Sequence, residues 1–155
     1  MVSVTYITES AFTPYGGLVA AGLEIPTTIN NPGAKKLLEV VPSANLYSKA
    51  PSQKPGRSVV HIETCQPKEL DVVAGQRTLV LNRLERHPFT SQLFIPMGSG
   101  VEYLAIVADG NAEGTAPDLK TLKVFVARDG QGVCYGAGVW HASMSVIGKV
   151  NQIPC

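Results

Sequence analysis

The sequence carries few charged and few aromatic side chains, and its net charge is close to zero. Charged residues make up 16% of the 155 residues, aromatic residues make up 6%, and the formal net charge is +1. Proteins that bind nucleic acid need a basic surface for the phosphates, and those that bind single strands also need aromatic platforms for the bases. The composition therefore predicts no nucleic-acid partner.

The sequence also lacks closely spaced cysteines and long apolar runs. Its three cysteines, Cys65, Cys134 and Cys155, form no C-x-x-C motif, which argues against a disulfide framework or a cysteine-ligated zinc site. The start, MVSVTYITES, has neither the basic nor the apolar region of a signal peptide, and no apolar stretch is long enough to span a bilayer. We therefore expect a cytoplasmic protein without a membrane partner.

The sequence does contain a series of short β-branched segments, separated by clusters of Gly, Pro, Asp and Asn. Hydrophobic residues make up 45% of the chain, which is long enough for one core, so we predict a single domain over residues 1–155. The strand-like segments are SVVHIET, RTLVLNRLE, QLFIP, EYLAIVA, TLKVFVA and VWHASMSVI. Their close spacing predicts an all-β fold, an antiparallel sandwich or barrel with one or two short helices. Few residues follow VWHASMSVI, which leaves open whether this domain lacks a C-terminal strand.

Polar side chains interrupt one apolar stretch, LERHPFTSQLFIPMG, at residues 84–98. Glu85 and His87 are two positions apart and therefore point to the same face of an extended strand. HPFTSQ is typical of a hairpin turn, because Pro88 cannot continue a β-ladder, and Gln92 begins the return strand. A tight hairpin brings Gln92 close to His87, so the pattern E-x-H-x4-Q-x5-G predicts a cluster of polar groups.

A second polar motif, GQGVCYGAGVWH, ends at His141 and has the spacing G-x5-G-x-G-x-x-H. Together the two patterns resemble the two motifs of the cupin family. In this comparison Glu85 and His87 take the places of the two first-motif histidines, Gln92 that of the glutamate, and His141 that of the second-motif histidine. The resemblance implies a cupin-like double-stranded β-helix with these four side chains close together.

The residues within the motifs are more specific than their spacing. LERHP, FIPM, PDL-x-TL, GQGV-x-Y and VWH, together with AFTPYGGLV and INN near the start, resemble the ureidoglycolate lyase family, most of all its fungal branch. The resemblance covers most of the chain. It implies a carbon–nitrogen lyase that cleaves (S)-ureidoglycolate to glyoxylate and urea in allantoin (purine) degradation.

The residues suit that reaction. The substrate is a hemiaminal, so cleavage needs a base for the carbinol hydroxyl and an acid for the departing urea nitrogen, and imidazoles and carboxylates serve in both roles. The catalytic residues implied are His87, His141 and Glu85. Amide side chains both donate and accept hydrogen bonds, which suits recognition of a ureido group. The substrate-binding residues implied are Gln92, Asn30 and Asn31.

The same cluster offers ligands for a metal. His87, His141, Glu85 and the amide of Gln92 form a ligand set that a divalent ion accepts. The resemblance suggests nickel or a similar ion as a cofactor, and the altered first motif predicts looser binding than in a cupin with three histidines.

The sequence alone leaves other interpretations open. Glu85 also suits a surface ion pair and Gln92 a turn cap, while Asn30 and Asn31 precede a Pro-Gly turn. Two further functions fit the fold: a metal-dependent cupin oxygenase or isomerase acting on another small polar acid, and a non-catalytic binding module. Because sheets of such domains often associate at their edges, we also expect a homodimer.

Overall fold

The computed structural model describes residues 2–149, with the backbone alone at Asn30, Gln76, Arg77, Gly148 and Lys149. Residues 150–155, on which the question of a last strand depends, lie outside the described residues. Within the described range the strands are β1 (Val4–Tyr6), β2 (Gly16–Val19), β3 (Thr27–Asn31), β4 (Ala34–Leu37), β5 (Asp71–Val73), β6 (Gln76–Thr78), β7 (Gln92–Phe94), β8 (Val101–Ala108), β9 (Lys123–Arg128), β10 (Gly132–Tyr135), β11 (Trp140–His141) and β12 (Ser145–Lys149). The helices there are α1 (Glu9–Phe12) and three 3-10 helices, Thr13–Tyr15, Tyr47–Lys49 and Leu119–Thr121. The prediction of an all-β fold with short helices is confirmed.

Two sheets form the body of the fold. The larger sheet has the order β1-β9-β8-β11, and β12 also pairs with β8, while the smaller sheet has the order β2-β10-β7. The pairings are antiparallel except for β1 with β9. Because β9 occupies one edge of β8 from Glu102 to Val107, β11 and β12 follow each other along the opposite edge. Two packed sheets of mainly antiparallel strands are consistent with the cupin-like fold that was expected.

The main core lies between these sheets, and α1 closes it. Thr8 caps α1 by accepting a hydrogen bond from the backbone N–H of Ala11, and Pro14 follows within the next helical turn. This short helix inserts Phe12, which is fully buried, among aromatic side chains of both sheets. The buried members of the core are Ile7, Phe12, Tyr15, Leu18, Tyr103, Ala105, Val107, Phe125, Ala127, Val133 and Tyr135.

A smaller apolar cluster covers the other face of the larger sheet. Leu104 and Ile106 of β8 point to this face, and Leu79, Leu81 and Leu84 pack against them. The segment RTLVLNRLE was predicted to be a strand, but its regular pairing ends at Thr78. Its leucines are therefore held by side-chain packing, and strand-like pairing returns only at Glu85.

The prediction that the segment SVVHIET is a strand was also wrong. Residues 58–64 form no strand, and their side chains are exposed, with Val60 at 93% and Ile62 at 82%. β-Branched residues fit a pleated surface, but a strand needs a neighbour to accept its backbone hydrogen bonds. The described part of the chain gives this segment no such neighbour.

Candidate active site

The backbone joins the two polar motifs at one point. Glu85 and His141 form a β-bridge in which the N–H of each residue donates to the carbonyl of the other, both at 2.8 Å. Residues that face each other in such a pair direct their side chains to the same side. The bridge therefore places the Glu85 carboxylate beside the His141 imidazole.

His87 joins them from the turn that follows. The backbone N–H of Gly138 donates to the carbonyl of His87 at 2.9 Å, which ties this turn to the loop before β11. Nε2 of His87 lies 4.0 Å from Oε1 of Glu85. This nitrogen is buried and has no hydrogen-bond partner among residues 2–149, although 37% of the His87 side chain is exposed. A buried polar atom without a partner beside a carboxylate is a candidate contact for a water, an ion or a substrate group.

Gln92 contacts His141 directly. Its Oε1 lies 2.8 Å from Nε2 of His141, and Nδ1 of the same ring lies 2.9 Å from the carbonyl oxygen of Val139. Because the Val139 carbonyl only accepts, Nδ1 carries a proton. The ring is then either charged and donates to both oxygens, or neutral with the Gln92 amide turned so that its NH2 group donates to Nε2.

The surroundings of His141 favour the neutral state. His141 is only 1% exposed, and this burial is the main reason why its pKa lies below the usual value. The hydrogen bond to Val139 and the charge of Glu85 oppose the shift, whereas His87 adds to it. Near neutral pH, His141 therefore presents a lone pair at Nε2.

Tyr135 is a neighbour of His141 that the motifs did not predict. Its ring stacks on the imidazole with the centroids 4.2 Å apart and the planes 12° from parallel. Tyr135 lies on β10 directly opposite Gln92 on β7. Tyr135 lies within GQGV-x-Y, one of the stretches that carry the family resemblance, but a motif on one strand does not reveal a neighbour on another strand.

The site opens towards solvent on the side of Glu85 and His87, whose side chains are about one-third exposed. His141 and Tyr135 form its buried floor, each at 1% exposure. A small polar molecule at this opening would lie beside the carboxylate and the exposed part of the His87 ring, whose Nε2 is buried. The arrangement places two side chains that can transfer protons beside a buried floor.

Comparison with known proteins assigns the family. The model of the family described as ureidoglycolate lyase matches residues 1–153. The chain belongs to the ureidoglycolate lyase family. It is 38% identical to the ureidoglycolate lyase of Schizosaccharomyces pombe over 151 residues, which cover 95% of this chain and 78% of that protein.

More distant relatives carry the same name. The chain is 35% identical to the ureidoglycolate lyase of Saccharomyces cerevisiae over 162 residues, covering 95% of this chain and 79% of that protein. It is 31% identical to the Escherichia coli protein of that name over 140 residues, covering 90% and 76% of the two chains. The predicted family is confirmed, and these relatives favour neither the cupin oxygenase or isomerase nor the non-catalytic module.

The donor atoms of this family member fit a divalent metal. One ligand atom from each of Glu85, His87 and His141 lies within 4.8 Å of the others. Ligand atoms bound about 2.1 Å from one ion are about 3–4 Å apart, so the cluster needs to contract by about 1 Å. The hydrogen bond from Nδ1 of His141 to a backbone carbonyl is the support that metal-binding histidines commonly have.

Neither predicted asparagine can be placed in the polar cluster. Asn31 is exposed on β3, which forms its own two-stranded sheet with β4. No hydrogen bond of the described residues joins Asn31 to the polar cluster, and the side chain of Asn30 lies outside what the structure describes. Four of the six predicted residues therefore come together, namely Glu85, His87, Gln92 and His141.

Within residues 2–149, every helix is too short to cross a membrane.

Proposed function

We propose that the protein is a ureidoglycolate lyase that converts (S)-ureidoglycolate to glyoxylate and urea in allantoin and purine degradation. The observation that carries the proposal is the meeting of Glu85, His87 and His141 within 4.8 Å in a chain of this family. Glu85 and His87 come from the first motif and His141 from the second, so the two motifs that the sequence offered form one site.

The reaction is the collapse of a hemiaminal. The hydroxyl on the central carbon loses its proton, its oxygen forms the carbonyl of glyoxylate, and the bond from that carbon to the ureido nitrogen breaks. The nitrogen leaves with the bonding electron pair and takes up one proton to give urea. One proton therefore leaves an oxygen and one arrives at a nitrogen, with no oxidant and no water consumed.

Glu85 and His87 suit these two proton transfers. Both are on the open side of the site, and Nε2 of His87 lies 4.0 Å from Oε1 of Glu85. We assign Glu85 as the base that accepts the hydroxyl proton and His87 as the acid that protonates the urea nitrogen. The orphaned Nε2 of His87 has no competing hydrogen bond among the described residues that would have to break first.

His141 and Gln92 suit substrate orientation in this scheme. Nε2 of His141 and the Gln92 amide are hydrogen-bonded at 2.8 Å. A ureido or carboxylate group of the substrate would take over one side of this hydrogen bond, and both side chains are already positioned for it. Asn30 and Asn31 remain predicted substrate contacts, and they require the β3–β4 hairpin to approach the site. An Asn31→Ala variant with an unchanged KM would remove Asn31 from that prediction.

A divalent ion is the second candidate for the chemistry of this site, and the three convergent donor atoms favour it. Glu85, His87 and His141 would hold the ion, with Gln92 beside them, and nickel or a similar ion suits these ligands. When bound, the ion would supply Lewis-acid polarisation of a substrate oxygen. In that case the side chains act as ligands, and the protein's part is to orient and desolvate the substrate.

Product analysis tests the proposed reaction. Purified protein is given (S)-ureidoglycolate, and glyoxylate, urea and ammonia are measured over time. We expect glyoxylate and urea in equal amounts, with the (R) enantiomer left unused. Ammonia as the main nitrogen product would contradict the lyase assignment, and no turnover of either enantiomer would contradict the function as a whole.

Metal removal separates the two versions of the chemistry. Protein treated with a chelator and dialysed is assayed before and after addition of nickel, manganese or zinc. Full activity without metal assigns Glu85 and His87 to direct proton transfer. Lost activity that one ion restores, with one ion bound per chain, assigns Glu85, His87 and His141 as ligands.

The proposal includes a cytoplasmic homodimer. Cys65 and Cys134 are free, which fits a reducing compartment. Val59, Val60 and Ile62 are exposed on the segment that has no strand neighbour in the described chain, and a second copy would cover such a surface. Light scattering coupled to gel filtration measures the mass directly, and a monomer at micromolar concentration would contradict the dimer.

A further inference from the structure

Tyr135 makes two kinds of ring contact at the floor of the site. It contacts Phe12 and Phe94 with planes 59° and 69° apart. Against His141 it lies almost parallel, at 12°, and 4.2 Å away. Among the aromatic contacts of the described residues, this is the only parallel stack. Tyr135 therefore meets the imidazole in a geometry that differs from that of its packing contacts.

The contacts of His141 act in different directions. The Val139 carbonyl at Nδ1 and the Gln92 amide at Nε2 contact the edge of the ring at two points, and the Tyr135 ring covers one of its faces. A turn of the imidazole about its Cβ–Cγ bond would bend both hydrogen bonds and separate the stacked rings. The stacked face therefore adds a third restraint on the ring plane, and both rings are 1% exposed.

We propose that Tyr135 is a positioning residue, whose ring fixes the plane of the His141 imidazole and hence the direction in which Nε2 points. The strand register supports this role, since Tyr135 and Gln92 are cross-strand partners on β10 and β7. One cross-strand pair thus holds His141 at its face and at its edge. The inference deepens the proposed function and rests on it for the effect on turnover.

The ring of Tyr135 carries this role, and its hydroxyl does not. The hydroxyl oxygen is buried without a hydrogen-bond partner in the described part of the chain. Burial also raises the pKa of Tyr135 further above its already basic value, so the group stays a neutral phenol. We therefore assign the role to the ring alone, and a phenylalanine should serve in its place.

Two substitutions at Tyr135 separate the ring from the packing. Tyr135→Phe keeps the stacked face and removes the hydroxyl, whereas Tyr135→Leu keeps an apolar side chain and removes the face. Phe94→Leu is the matched control, because Phe94 packs on Tyr135 in the same core but at 69°. Tyr135→Met, which adapts to irregular space, replaces the leucine variant if that variant does not fold.

Two readouts apply to each variant. Nitrogen-15 NMR of the histidine rings, in metal-free protein without substrate, reports the tautomer and mobility of His141, whose signal is identified by its loss in His141→Gln. Steady-state kinetics with (S)-ureidoglycolate gives kcat and KM separately. We expect Tyr135→Phe to keep a single Nδ1-protonated ring and a kcat within about threefold of the parent. We expect Tyr135→Leu to show a mixed or broadened ring signal and a kcat lower by about tenfold or more, with KM little changed.

Three results would overturn the positioning role. They are an equal change of the His141 signal in Phe94→Leu and Tyr135→Leu, an unchanged signal in Tyr135→Leu, and a large loss of kcat in Tyr135→Phe. The first result would mean that Tyr135 acts only by packing in the core. The second would mean that it does not fix the His141 ring, and the third that its hydroxyl is the group that turnover needs. If the parent protein does not turn over ureidoglycolate, the proposed function fails, while the NMR comparison still decides whether Tyr135 fixes the ring.

Discussion

Two stretches of this chain have similar composition but differ in strand pairing and in exposure. VWHASMSVI (139–147) and SVVHIET (58–64) are both rich in β-branched residues, and each contains one histidine. In the first, β11 and β12 pair with β8, and His141 is 1% exposed. In the second, the described chain shows no strand, and Val60 is 93% exposed. The difference lies in the neighbours, because a strand forms where another strand accepts its hydrogen bonds.

The two stretches are also connected at one place. Lys68, a few residues beyond the exposed segment, donates from its backbone N–H to the carbonyl of Val146 and from Nζ to Oγ of the buried Ser145. The exposed segment is therefore attached to the ordered one through β12. Substitutions on either side of this link test how far the stability of one stretch depends on the other.

The largest expected effect is in the ordered core. Phe12→Ala removes a fully buried ring that touches both sheets, and we expect a loss of about 3–5 kcal/mol in the free energy of unfolding. Urea unfolding followed by tryptophan fluorescence measures it. Val60→Ala in the exposed segment is the control, and equal losses in the two variants would erase the distinction between the regions.

The next effect concerns the histidine in each stretch, His141 and His61. His141→Gln keeps a hydrogen-bonding side chain of similar size but removes the imidazole that orients the substrate in the proposed scheme, or that binds the metal in its alternative, so we expect a folded protein whose turnover is at least about a hundredfold lower. His61→Gln, in the exposed segment, is the matched control and should retain parental turnover. Near-normal turnover in His141→Gln would remove His141 from the site and break the argument from the second motif.

The link between the regions should have an intermediate effect. Lys68→Met keeps the length of the side chain but leaves the Ser145 hydroxyl without its donor, so we expect a loss of about 1 kcal/mol in unfolding free energy. Lys54→Met, at another exposed lysine, should change stability little. If both variants have the same stability, the Lys68 side chain adds nothing to the link that its backbone N–H makes with Val146.

The smallest effect should come from the exposed segment itself. Val60→Ser replaces a side chain that is already in solvent, and we expect the unfolding free energy of the monomer to change by at most about 0.5 kcal/mol. The measurement is made at low protein concentration, so that association does not contribute. A loss of several kcal/mol would mean that this valine is buried in the molecule in solution.

The sequence predicted the parts of this fold that depend on local pattern. EYLAIVA lies within β8 and TLKVFVA contains most of β9, while Glu85 and His87, whose spacing predicted a common face, have ligand atoms within 4.8 Å of each other. The strand predicted for SVVHIET was wrong, because a local pattern of β-branched residues does not specify which strand will pair with it. The stack of Tyr135 on His141 was not predictable, since it joins β10 of the smaller sheet to β11 of the larger one.

The bridge between Glu85 and His141 also sets when the site can exist. The contact of Gln92 with His141 spans 49 positions of the chain, and that of Lys68 with Ser145 spans 77. Closing loops of this length costs conformational entropy, and only the finished sheet offsets that cost. During synthesis, Glu85 and His87 cannot contact His141 until the ribosome has released β11. In refolding, activity should therefore return with the last cooperative step and never before it.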